Sequence, residues 1–134
     1  MIQRRIEWSD TDASGHYHNT AAFRMFEWAE TALFDRLGFL DDVYGKLPRV
    51  HITADFTALL RHRDLVDVDL EIESVGTTST TYVIEIRRED EVCVRARVVT
   101  VLTDGRGNTT PWPAGYRKLL LTGGRQAPEL LVNG

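Results

Sequence analysis

Thr20-Ala21-Ala22-Phe23-Arg24-Met25-Phe26-Glu27-Trp28-Ala29-Glu30-Thr31-Ala32-Leu33-Phe34-Asp35-Arg36-Leu37 is the stretch whose reading decides the architecture. Arg24, Glu27, Thr31 and Asp35 recur at spacings of three and four and form one narrow polar stripe. Glu30 and Arg36 interrupt the remaining surface, and small, aromatic or aliphatic side chains cover most of it. A helix that is apolar over so much of its circumference has to be largely enclosed by other elements. Gly38 stands where a left-handed glycine commonly stops a helix.

The flanks of this helix read as extended chain. Ile2 to Trp8 is a first strand, with Ile2, Ile6 and Trp8 on one face and charge on the other, and Asp10 to His18 is a loop. Phe39 to Pro48 is a loop or short turn, and Val50 to Leu60 is a strand candidate. In Leu65 to Val75, Val66, Val68, Leu70 and Ile72 alternate with Asp67, Asp69, Glu71 and Glu73, the pattern of a sheet with one wet face. Gly76-Thr77-Thr78 is a turn, Ser79 to Arg88 a further strand, Glu89-Asp90-Glu91 a hairpin tip and Val92 to Thr103 a long final strand. Pro113 opens a short helix over Trp112 to Leu121, and residues 123–134 are expected to form a loosely ordered tail to a single domain over 1–122. Hairpin-linked strands after one long helix predict an α+β fold, with a curved antiparallel sheet of about five strands around that helix.

Composition narrows the function classes. The chain has 134 residues, 43% hydrophobic and 27% charged, which suits one packed core and argues against disorder. A formal charge of -4, with scattered arginines, gives no electrostatic case for nucleic acid. The N-terminus lacks the apolar run of a signal peptide and no segment approaches membrane-spanning length, so a cytoplasmic protein is expected. The lone Cys93 excludes an internal disulfide and reads as a small core residue in a strand.

Chemistry concentrates before the helix, in Asp10-Thr11-Asp12-Ala13-Ser14-Gly15-His16-Tyr17-His18-Asn19. Two carboxylates, two imidazoles and an amide run directly into a helix start, whose unpaired N–H groups and dipole favour negative charge. A base or nucleophile beside such an anion site is half of an acyl-transfer centre. Asp10 reads as a turn-former bonding backbone amides, and Asn19 as a helix N-cap. The H-x-H spacing of His16 and His18 alone is a weak metal signal, with no distant ligand clearly placed to complete a site, so no metal is expected.

The order strand, D-T-D-x-x-G-H, buried helix and four strands resembles the hotdog-fold acyl-CoA thioesterases of the 4-hydroxybenzoyl-CoA thioesterase-like group. Asp12, His16 and Asn19 fit that group's D-x-x-x-H-x-N-N-x-x-Y pattern, with His18 in place of the first Asn and Ala22 in place of the Tyr. Ala54 to Asp64 is similar to its D-Y-x-x-P-x-x-x-x-D segment, without the proline and with Arg63 where a glycine is frequent. Glu73 to Ser79 also looks like the group's strand exit, so the resemblance spans roughly Ile2 to Thr103.

The resemblance implies a hotdog fold, an acyl-CoA substrate, a homodimer or homotetramer with sites between subunits, and no cofactor. It assigns the attack on the thioester, or activation of the attacking water, to Asp12, and places a backbone N–H near Asn19 at the thioester oxygen. His16 then orients the loop by hydrogen bonding, and His18 is a local polar contact or a water-positioning group. Arg61, His62, Arg63, Arg87 and Arg88 are candidates for the CoA phosphates. Glu27 is the reserve catalyst, since a helical carboxylate replaces the loop Asp in some relatives. Two rival readings are an acyl-thioester dehydratase or hydratase and a non-catalytic acyl-CoA-binding protein.

Overall fold

Four antiparallel pairings build the sheet, and the apolar–polar alternation of its central strands sets their register. The structure is a computed structural model that describes residues 1–12, 19–122 and 129–130. Its strands are β1 (Ile2–Arg5), β2 (Arg49–Phe56), β3 (Leu65–Val75), β4 (Ser79–Arg88), β5 (Glu91–Val101) and the short β6 (Glu129–Leu130). The order across the sheet is β2-β5-β4-β3-β1-β6, antiparallel throughout except that β6 lies parallel to β1. The helices are α1 (Asn19–Leu37), the single turn α2 (Leu40–Val43) and α3 (Ala114–Thr122).

The inner face of the sheet is apolar because every second residue of its central strands is. Val66, Val68 and Leu70 of β3, Tyr82, Ile84 and Ile86 of β4 and Val94, Ala96 and Val98 of β5 are all buried. Ala21, Ala22, Met25, Phe26, Ala29, Leu33 and Phe34 of α1 join them in one core, an i, i+3, i+4 face with the polar stripe Arg24, Glu27, Thr31 and Asp35 left exposed. The sheet covers one broad face of α1 rather than its whole circumference, and Phe23 stays 37% exposed. The curved antiparallel sheet around one long helix is as expected, with the polar stripe of α1 left to solvent.

α1 stops as its sequence predicts. Gly38 has φ +86°, its N–H reaches the Asp35 carbonyl at 3.1 Å, and the Phe39 N–H reaches the Phe34 carbonyl at 3.1 Å. That is a Schellman ending, completed by the contact of the Phe34 and Phe39 rings with centroids 5.4 Å apart. Phe39 also stacks on Tyr116 of α3 at 4.3 Å, and Trp112 packs edge-on to it at 6.2 Å. These rings attach α3 to the end of α1.

Two expectations fail at the N-terminus. The first strand ends at Arg5, Trp8 opens a short 3-10 turn (Trp8–Asp10) and is 81% exposed. Arg4, placed by alternation between Ile2 and Ile6, is 3% exposed and lies inside, so charge is not confined to the outer face. The wet face of β3 is also incomplete. Asp69 is 5% exposed, covered by Arg87, whose Nη2 donates to Asp69 at 3.1 Å and to the opposing Glu85 at 2.7 Å. Of the expected tail, Glu129–Leu130 pair with β1 and the other positions lie outside the described residues.

Candidate active site

The chain from β1 to α1 is held by one buried carboxylate. Asp10 Oδ2 accepts Arg4 Nη2 at 2.8 Å and the Glu7 N–H at 2.8 Å, and Asp10 Oδ1 accepts Arg24 Nη2 of α1 at 2.7 Å. The Arg4 guanidinium lies 3.7 Å from the ring centroid of Trp28, one helical turn beyond Arg24. Burial lowers the pKa of Arg4, and the negative charges of Asp10 and Glu7 oppose that shift. The backbone-bonding role read for Asp10 is present, and two arginines join it. The signal for this centre lay in β1, where a guanidinium on the same period-2 face as Ile2 and Ile6 requires a buried counter-charge.

Asp12 follows this anchored turn and is exposed, and Asn19 is the first residue of α1 and also exposed. The expectations for His16 and His18 lie outside the described residues. Arg61, His62 and Arg63 are exposed on the turn before β3. Arg88 is brought to that turn, donating to the Leu59 carbonyl and to Asp64, both at 3.0 Å. Arg87 is elsewhere, bridging Asp69 and Glu85 on β3 and β4. Arg63 has φ +76°, which explains why a glycine suits this position. Its N–H donates to the Ile6 carbonyl at 2.8 Å and its carbonyl accepts Arg5 Nη1 at 2.9 Å, so the turn backbone is tied to β1.

A second chemical feature lies further along α1. A cavity of about 500 Å³ opens between α1, α2 and the start of β2, with Phe34, Leu40, Val43 and Leu47 as its apolar wall and Glu27, Glu30 and Arg49 as its charged one. Glu30 is pushed up to about 7 by burial, a shift opposed by Arg49 and reinforced by Glu27. Arg49 donates to Glu30 at 3.4 Å and lies 3.8 Å from Glu27. Tyr82 is fully buried, accepts the Thr100 hydroxyl at 3.3 Å, and has its phenol pKa raised by burial and then by Glu30. Cys93 is buried and desolvation raises its thiol pKa, the environment of an inert core thiol. Among the described residues, no group of three or more His, Cys, Asp or Glu side chains is arranged to hold a metal ion. No helix among them is long and apolar enough to cross a membrane.

Residues 6–120 match the model of the thioesterase-like superfamily. The chain belongs to the thioesterase-like superfamily. Solved structures similar to it include a gentisyl-coenzyme A thioesterase, at 21% identity over 90% of this chain and 99% of that one with a TM-score of 0.81. A 1,4-dihydroxy-2-naphthoyl-CoA thioesterase from Synechocystis is 22% identical over 90% of this chain and 93% of that one, with a TM-score of 0.78. A structure described as a predicted thioesterase from Bacillus stearothermophilus is 27% identical over 94% and 98% of the two chains, with a TM-score of 0.80. These likenesses show the hotdog fold, and thioester hydrolysis is the general chemistry that the family membership supports. A search of curated proteins found no match.

Proposed function

We propose that this thioesterase-like protein hydrolyses an acyl-CoA thioester to a free carboxylic acid and CoA. In this reading the Asp12 carboxylate takes a proton from water, and the resulting hydroxide forms the new C–O bond at the acyl carbon. N–H donors near Asn19 stabilise the tetrahedral oxyanion, and one such donor is typically worth roughly 3–4 kcal/mol in the transition state. Collapse breaks the C–S bond and the CoA sulfur receives the proton. Direct attack by Asp12, with hydrolysis of the resulting anhydride, is the nucleophilic form of the same proposal. His16 orients the loop and His18 contacts or positions water beside it. Arg61, His62 and Arg63 share one exposed turn and suit the CoA phosphates, whereas Arg87 and Arg88 are each engaged by two carboxylates and are the weaker members of that set.

The observation that carries the reading is the family match, which runs through Asp12 and the whole of α1. A homo-oligomer in the cytoplasm completes it, with a second copy pairing along β2, the end strand of the sheet, and closing the acyl site. The test is acyl-CoA cleavage by Asp12→Asn. Loss of turnover in a folded oligomer is expected, and near-wild-type activity would overturn the assignment. Hydration of an enoyl thioester would instead support the hydratase, and stabilisation by acyl-CoA without turnover the binding protein.

One observation favours a second reading of the catalyst. Glu27 lines the cavity with Glu30 and Arg49, where an acyl group has both apolar wall and charge within reach. Glu27→Gln assayed beside Asp12→Asn separates the two carboxylates, because only the catalytic one abolishes turnover.

A further inference from the structure

The proposed chemistry makes no use of Asp10, yet three separate segments converge on it. Its side chain is 1% exposed and is held by Arg4 of β1 at 2.8 Å, by Arg24 of α1 at 2.7 Å and by the Glu7 N–H at 2.8 Å. Arg4 is also buried, whereas the Arg24 side chain keeps 48% of its surface exposed. Removing charges from water costs several kcal/mol per ion, and apolar replacements of similar volume are often as stable or more so. Packing alone would therefore be served more simply by apolar side chains. An ion centre supplies a single geometry instead, because Oδ1 is fixed by Arg24 and Oδ2 by Arg4 and the Glu7 N–H.

That geometry bears directly on the next residues. The Thr11 N–H and hydroxyl both bond the Trp8 carbonyl, at 3.0 and 2.7 Å, so the chain leaves Asp10 in a fixed direction. Two residues of chain span at most about 7 Å, which limits how far Asp12 lies from the anchored carboxylate. We propose that Asp10 and Arg24 are positioning residues, a pair that holds Asp12 at its working distance from the start of α1. The proposal rests on reading Asp12 as the base or nucleophile. A misplacement of about 1 Å at a reacting group costs on the order of 100-fold in rate.

Arg24→Gln is the cleanest probe, since it leaves the Arg4–Asp10 pair whole and opens only the tie to α1. It is expected to lower kcat by roughly 10–100-fold with KM within about threefold of wild type, while Tm falls by only a few degrees. Arg24→Lys keeps a donor for Asp10 Oδ1 and is expected to recover most of the lost kcat. Asp10→Asn, measured in parallel, is expected to lose at least as much kcat as Arg24→Gln. Wild-type kcat in Arg24→Gln, with Asp12→Asn inactive, overturns the positioning role and leaves the reading of Asp12 standing. A rise in KM alone makes Arg24 a substrate contact and also overturns it. Full activity in Asp12→Asn overturns both. If Arg24→Gln does not fold, Arg24→Lys and Asp10→Asn are judged by the same split between kcat and KM.

Discussion

Arg4 and Trp28 meet across the junction of β1 and α1, with the guanidinium carbon 3.7 Å from the indole centroid and Arg4 only 3% exposed. The contact places the arginine between an aromatic face and the Asp10 carboxylate, so two attractions act on one buried cation. Arg4→Met removes the charge and leaves the buried carboxylate with Arg24 and the Glu7 N–H. A loss of about 3–5 kcal/mol in urea unfolding is expected, as for other broken buried pairs. Trp28→Leu keeps the ion pair and removes the aromatic face, and the cation–π share of its cost is expected to be about 1–2 kcal/mol. A smaller loss for Arg4→Met than for Trp28→Leu would show that the ion pair contributes little.

Glu30 makes stability depend on pH in a stated direction. Its carboxyl is held at about 7 in the folded chain against an ordinary value of 4.5, so the folded state binds the extra proton between those limits. Its contribution therefore favours the folded state at and below about pH 4.5 and declines as pH rises to about 7, by about 3 kcal/mol in all. Glu30→Gln is expected to flatten that decline, measured by urea unfolding at several pH values between 4.5 and 8. An unchanged pH dependence in the variant would assign the titration to another group.

Arg63 and Gly38 share a left-handed backbone, at φ +76° and +86°, and differ in whether the side chain suits it. Arg63→Gly relieves a cost of roughly 1 kcal/mol and is expected to raise Tm slightly, since the turn's backbone bonds to Ile6 and Arg5 do not involve the side chain. Gly38→Ala is expected to lower stability by about the same amount, although nothing lies within 4 Å of the added carbon. Opposite signs in thermal melts are the expected result.

Phe39 is 3% exposed and touches Phe34, Trp112 and Tyr116. Phe39→Ala is expected to destabilise by about 3–5 kcal/mol and to raise hydrogen exchange across residues 112–122, which depend on that ring for docking. Exchange limited to α2 would show that α3 is held by other contacts.

What could be read in advance follows from how local each signal is. β3 and β4 have the limits expected of them because their alternation needs no partner to be seen. β2 ends at Phe56 rather than Leu60, since the Thr57 and Ala58 N–H groups both turn to the Cys93 carbonyl, at 2.9 and 3.3 Å. β1 misled because Asp10 pulls Glu7–Asp10 into a helical turn, through a bond from the Glu7 N–H that alternation cannot reveal. In the candidate site, the proposed roles of Asp12 and Asn19 rest on the family resemblance rather than on composition. The Arg4–Asp10–Arg24 centre left only one trace, a charge on the apolar face of β1, because its members come from β1, the turn after it and α1, which meet only after folding. The elevated Glu30 was visible as an interruption of the apolar face of α1, but its pKa depends on Arg49 and on burial in the folded chain.

The strand order carries a consequence for assembly. β3, β4 and β5 are neighbours in both chain and space, whereas β1 reaches β3 by pairing Ile2 with Val68, and β2 reaches β5 by pairing Arg49 with Thr100. Short loops close at little entropic cost, so nucleation is favoured in the middle of the chain, with both flanking strands added late. Substitutions at the Glu89–Asp90 tip are then expected to slow refolding, whereas those at Arg4 hasten unfolding.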